Sequence, residues 1–121
     1  MELMYSCDGN GDLLIVDAAN EQLIWRGWPE GRRVEKVGRL SDLSDCIILV
    51  EWESGGKNVP NLWRYSYDRG IVWRAQLPQS GSDVYVDFRL DNGDLYANSW
   101  SGYRVKISPI TGQIISKTFT K

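Results

Sequence analysis

The stretch DVYVDFRL (83–90), with the DNGD (91–94) and LYANSW (95–100) that follow it, decides the fold. Val84, Val86, Phe88 and Leu90 alternate with the mostly polar Asp83, Tyr85, Asp87 and Arg89. A period of two predicts a half-buried strand with the even residues inside. Asn92 and Gly93 tolerate the positive φ of a tight hairpin, so a second strand should return at once. Working outward, CIILVEW (46–52) is continuously apolar and β-branched, which suits a strand covered on both faces. Turn residues recur at DGNGD (8–12), PEG (29–31), SGG (54–56), DRG (68–70), SGS (80–82), SG (101–102) and TG (111–112). No segment of ten residues carries a helical apolar stripe, and only Trp28 to Arg33 has room for a short helical turn. The reading is an all-β chain of short antiparallel strands.

The strands repeat. LIVDAANEQLIWR (14–26), LWRYSYDRGIVWR (62–74) and RVKISPITGQIISK (104–117) each read as an apolar strand, a polar turn and a strand closing on a basic residue. Trp25 lies 48 residues before Trp73, and Ile71 lies 43 before Ile114. A period of this length with about four strands per unit predicts propeller blades. The second blade is expected at 33–40, 45–53, 62–67 and 71–77. The third is expected at 83–90, 94–100, 103–108 and 113–119. The first, at 2–7, 12–17 and 22–28, has no room for an innermost strand. The expected fold is one all-β domain over 1–121, an antiparallel meander of about eleven strands in roughly three blades.

The run GDLYANSWSGYRVKISPITGQII (93–115), with IVWRAQLP (71–78), resembles the blade repeat of quinoprotein-type (PQQ-like) β-propellers. The third copy carries that family's T-G turn at Thr111 and Gly112, while Asn20-Glu21 and Asp68-Arg69-Gly70 stand there in the others. The resemblance implies blade geometry. It implies no quinone cofactor, because that group sits on the axis of a closed ring and three blades close none.

Composition removes other classes. The chain has 121 residues, 14 basic against 16 acidic side chains, a net charge of −2, six Trp and no His. A slightly acidic domain without a basic block is a poor nucleic-acid binder. No apolar run approaches the length of a membrane span, and MELMYSCDGN is not a secretory leader, so the expected location is cytoplasmic. Cys7 and Cys46 are then reduced, and Cys46 reads as a small core residue. Without His, neither thiol has a ready base.

Three kinds of motif bear on chemistry. DGNGD offers Asp8, Asn10 and Asp12 as in half a calcium loop, but Leu13 and Ala19 occupy the places of its Gly and Glu, so it reads as a hairpin turn and no metal is expected. The same-face pairs Glu51/Glu53 and Asp83/Asp87 suit solvent faces better than catalysis, and GGK (55–57) lacks the rest of a phosphate loop. No catalytic residue is assigned.

Trp25 and Trp73, at equivalent places, are expected to pack between blades, and Trp52 to sit in the core. Trp28 and Trp100 fall in loops, where Trp more often anchors a partner. Propeller geometry brings the loops 8–12, 28–32, 54–61, 78–83 and 100–102 to one end. The expected partner-binding set there is Asp8, Asp12, Trp28, Glu30, Glu53, Asp83 and Trp100, with Arg32 and Lys57 as basic exceptions. An open array should also expose the apolar outer faces of its first and last blades.

A small acidic protein of this kind is similar in profile to bacterial immunity proteins. The function expected first is therefore a protein-binding inhibitor masking a basic toxin or nuclease. The alternative is a homodimer closing a six-blade ring, as a scaffold or small-ligand module. A carbohydrate-active enzyme ranks third.

Overall fold

The computed structural model describes residues 2–40, 45–52, 59–79 and 83–120. Among these, eleven strands follow one another: β1 (Leu3–Cys7), β2 (Leu13–Asp17), β3 (Leu23–Gly27), β4 (Val34–Arg39), β5 (Asp45–Val50), β6 (Leu62–Ser66), β7 (Gly70–Arg74), β8 (Tyr85–Asp91), β9 (Asp94–Ser99), β10 (Tyr103–Ile107) and β11 (Ile114–Phe119). A 3-10 turn, Pro29–Gly31, stands where the short helical turn was expected. The strands form three antiparallel sheets, β1-β2-β3, β4-β5-β6-β7 and β8-β9-β10-β11. None is closed, and the architecture is the open, propeller-like all-β array expected.

The sheets stack through two apolar layers. Leu3, Leu13 and Ile15 of the first sheet meet Val34, Cys46, Ile48, Val50 and Trp63 of the second. The other face of the second sheet offers Ile47, Leu49, Leu62, Trp73 and Ala75 to Tyr85, Phe88, Leu95, Ala97, Val105 and Ile107 of the third. The second sheet is thus covered on both faces, and all six residues of β5 are buried, 46–50 as an unbroken apolar run requires and Asp45 with two arginines as partners.

Strand register makes the repeat residue-specific. β1, β5 and β9 correspond, as do β2, β6 and β10, and β3, β7 and β11. All three outer hairpins carry a register shift, at Ile15/Val16, Arg64/Tyr65 and Lys106/Ile107. β4 and β8 are the innermost strands, and the first sheet has no counterpart to them among the described residues. Each sheet has a front, toward the preceding sheet, and a back, toward the following one. Trp25 and Trp73 occupy the same back position, and Trp73 packs between sheets as expected. Its indole lies where a Cβ on Gly112 would stand 2.7 Å away, so the third T-G turn needs glycine for close approach as well as for its φ of 76°. The Trp73 Nε1 and Arg64 Nη1 groups both donate to the Pro109 carbonyl, at 2.8 and 2.9 Å, and fasten that turn. Arg64 also donates through Nε to the buried Asp45 carboxylate at 2.8 Å, which Arg69 Nη2 joins at 2.9 Å.

Three expectations are corrected. A bulge between Tyr85 and Asp87 leaves Val86 outside the ladder. Tyr85 therefore turns inward beside Phe88, and Val86 is 47% exposed. Trp52 lies beyond the end of β5, two residues past the last paired position, and is 49% exposed where core was expected. The outer faces are also unequal. Back positions held by Ile47, Leu49, Leu62 and Trp73 in the second sheet carry Tyr96, Asn98, Arg104 and Ser116 in the third. The last back is therefore polar, as in terminal repeats that face water. The first front remains apolar: Met4, Leu14, Val16 and Leu23 stand where the second sheet buries Cys46 and Trp63 and half-buries Tyr65 and Ile71.

Candidate functional site

An antiparallel meander returns every second connection to the same end, so the connections after β1, β3, β5, β7 and β9 share one end of the array. Its first group is built around the β1–β2 turn. Asp8 Oδ1 accepts the Asn10 and Asp12 amides at 2.9 and 3.0 Å, and Gly11 takes a φ of 80°. The DGNGD motif is therefore a hairpin turn closed by its own carboxylate. Arg26, from the end of β3, bonds Asp8 at 2.7 Å and Asp12 at 2.8 Å. The amides of Asp12 and Asn10, with this guanidinium, hold the Asp8 carboxyl below the usual carboxylate range.

The 3-10 turn sits beside it. Trp28 precedes the turn and is 46% exposed, with the Arg33 guanidinium 5.8 Å from its ring centroid. Glu30 holds a φ of 51°, which presents its exposed carboxylate at the tip. Val34 donates to the Gly11 carbonyl at 2.8 Å and Glu51 to the Arg33 carbonyl at 2.9 Å, joining this turn to the first and second sheets. Arg32 Nη2 donates to the Glu51 carbonyl. Between them lies a polar hollow of about 340 Å³, lined by Asp8, Gly11, Arg33, Val34, Glu35 and Glu51 among others. Glu30, Glu35 and Glu51 carry no ion pair among the described residues.

The second group belongs to the third sheet. Asp83 is 3% exposed, and its carboxylate accepts the Val84 amide at 3.0 Å, the Ser101 amide at 3.1 Å and the Ser101 hydroxyl at 2.5 Å. It shapes the β9–β10 turn from inside and is not presented to a partner. That turn lifts Trp100, 63% exposed, while its amide bonds the Val84 carbonyl at 2.9 Å. Buried Asn61 ties the groups together. Its side chain donates to the carbonyls of Val50 (3.2 Å) and Tyr85 (2.8 Å) and accepts the Tyr85 amide at 2.8 Å.

Of the expected set, Asp8, Asp12, Trp28 and Glu30 lie together, Trp100 rises from the neighbouring group, and Asp83 is buried beneath it. Glu53 and Lys57 lie outside the described residues. Sequence reading missed Trp52, Arg26 and Arg33. The position of Trp52, just past a strand, was the available signal. Every blade thus offers one exposed indole at this end: Trp28, Trp52 and Trp100. The acids are less available than their number suggests, since Arg26 engages Asp8 and Asp12. Burial raises the titration of both thiols, that of Cys46 far above the ordinary range, which disfavours the thiolate form. Among the described residues no cluster of three or more His, Cys, Asp or Glu is placed to hold a metal ion, and no helix is long and apolar enough to cross a membrane.

The family described as "Domain of unknown function (DUF7957)" matches residues 32–119. The match takes in the second and third sheets and leaves β1–β3 outside it. No curated protein matches the chain. Among solved structures, the computationally designed Ika8 protein, which is propeller-like, is similar over 100% of this chain with a TM-score of 0.66 and 11% identity. The chain spans 35% of the length of that designed protein. At this identity the likeness concerns fold alone.

Proposed function

The chain belongs to the DUF7957 family, and we propose that it is a protein-binding inhibitor of the immunity type, which neutralises a basic partner such as a toxic nuclease by covering its active surface. The observation that carries this reading is the set of exposed tryptophans, Trp28, Trp52 and Trp100, gathered at one end of the array. An exposed indole leaves a large apolar area in water, and three at one end match the aromatic anchors around which protein interfaces are built. The carboxylates of Glu30, Glu35 and Glu51 accompany them, and with the net charge of −2 they favour approach of a basic surface. Masking is then steric, with the indoles entering partner pockets and the carboxylates setting orientation.

Ring closure by two copies is less well supported. It would press the third sheet's back, with Arg89, Arg104 and Lys106, onto the first front, with Met4, Leu14, Val16 and Leu23. Burying those cations against an apolar face costs desolvation, which the long ion pairs of Arg89 with Asp91 and Lys106 with Asp94 offset in part and nothing on the first front offsets for Arg104.

The test is co-expression with the product of the adjacent gene. The inhibitor reading expects a stoichiometric complex and restored host growth, both weakened about tenfold or more when Trp28 or Trp100 becomes Ala. A chain that protects nothing and copurifies with nothing contradicts it.

A further inference from the structure

The polar back of the third sheet does more than end the stack. Of six corresponding positions, five change character and one keeps a cation. Gly38, Ile47, Leu49, Leu62, Arg64 and Trp73 of the second sheet correspond to Arg89, Tyr96, Asn98, Arg104, Lys106 and Ser116 of the third. Hydration alone asks only for polar side chains. Here two guanidiniums flank a hollow of about 150 Å³, a volume of roughly five waters.

Each guanidinium is held by its own sheet and keeps donors to spare. Arg89 lies over Tyr96, 4.4 Å from the ring centroid, and meets Asp91 only at 3.5 Å. Arg104 Nε reaches Asn98 Oδ1 at 3.5 Å and has no ion pair among the described residues. A guanidinium carries five donors in a planar fork that matches carboxylate and phosphate oxygens. β8 and β10 flank β9, so the two Cα rows stand about 10 Å apart and both side chains reach the space above β9. The carboxylate lining the hollow, Asp87, is met by Lys36 Nζ at 2.8 Å, and this hydrogen bond, with the Phe88 amide, keeps its carboxyl below the ordinary range. Lys106 faces Asp94 at 3.7 Å. The local balance at the hollow is therefore positive on a chain of net charge −2.

We propose that the hollow between Arg89 and Arg104 binds an oxyanion, the phosphate or carboxylate group of a small molecule. Asn98 and the guanidinium donors supply the hydrogen bonds, and Tyr96 fixes Arg89 from below. The site lies on a face away from the tryptophans and stands independently of the inhibitor reading.

The test is an amide-resolved NMR titration of the intact chain with inorganic phosphate and, separately, with citrate. Chloride holds ionic strength constant. Saturating shifts are expected at residues 87–89, 96–98 and 104. They should weaken about tenfold in Arg104→Ala and in Arg89→Ala, and persist in Lys117→Ala, which lies on the opposite face. Arg104→Lys, which keeps charge and loses the fork, should fall between. Response to phosphate alone assigns a phosphate ligand, and response to citrate alone a carboxylate. No saturation with either anion, or unchanged binding in a folded Arg89→Ala/Arg104→Ala variant, overturns the proposal.

Discussion

Asn61 is the side chain whose loss the molecule should feel most sharply for its size. Its amide serves the Val50 carbonyl and both backbone groups of Tyr85 from within the core. Asn61→Ala leaves buried polar groups without their partner, so it should cost about 2 kcal/mol in chemical denaturation. Asp45 is comparable, because two arginines depend on it: Asp45→Asn should cost about 3–5 kcal/mol by the same measurement. Alkaline stability follows from buried acids. Burial raises Tyr5 from 10.0 to about 12 and pushes Tyr85 and Cys46 higher still. The unfolded chain ionises these groups first, so the folded state is fully favoured below about pH 9. It should lose stability steadily as pH rises from there toward 12. Denaturation midpoints measured at pH 8, 10 and 11 should fall in that order, and a flat profile would contradict the burial of these groups.

At the scale of elements, the hairpins and the internal repeat were legible because period-two alternation and Asn-Gly or Thr-Gly turns are local signals. Asn92 and Gly93 take φ of 52° and 83°, as the DNGD turn demanded. The bulge at Val86 was not legible: alternation counts residues and does not see that one drops out of the ladder. Trp52 misled because CIILVEW is continuous, while pairing ends at Val50. The burial of Asp83 depends on Ser101, 18 residues on, a contact that residue types near Asp83 do not announce. The unequal outer faces were in principle readable, since Arg104 stands where the repeat has Leu62, but only once register fixes the correspondence. This yields a paired expectation. Leu14 and Trp63 are equivalent, yet Leu14 looks outward and Trp63 is buried between sheets. Leu14→Asp should change stability by less than about 1 kcal/mol, while Trp63→Ala should cost about 3–5 kcal/mol. Equal losses in thermal unfolding would contradict the assignment of the first front to the outside.

For the whole molecule, the three sheets form a directional stack. One end is capped by a polar back, the other ends in an apolar front, and the loop end carries an indole from every blade. The family match confined to 32–119 separates the two four-stranded sheets from β1–β3, which add the uncovered front together with Asp8, Arg26 and Trp28. Joining two copies end to end would set the cationic back on the apolar front, and the proposed function takes a different protein as the partner instead. Light scattering on the chain co-expressed with the adjacent gene's product tests this most directly. The account predicts a one-to-one heterocomplex that Trp52→Ala weakens and, for the chain alone, a monomer. A compact homodimer that persists and takes up no partner would contradict it.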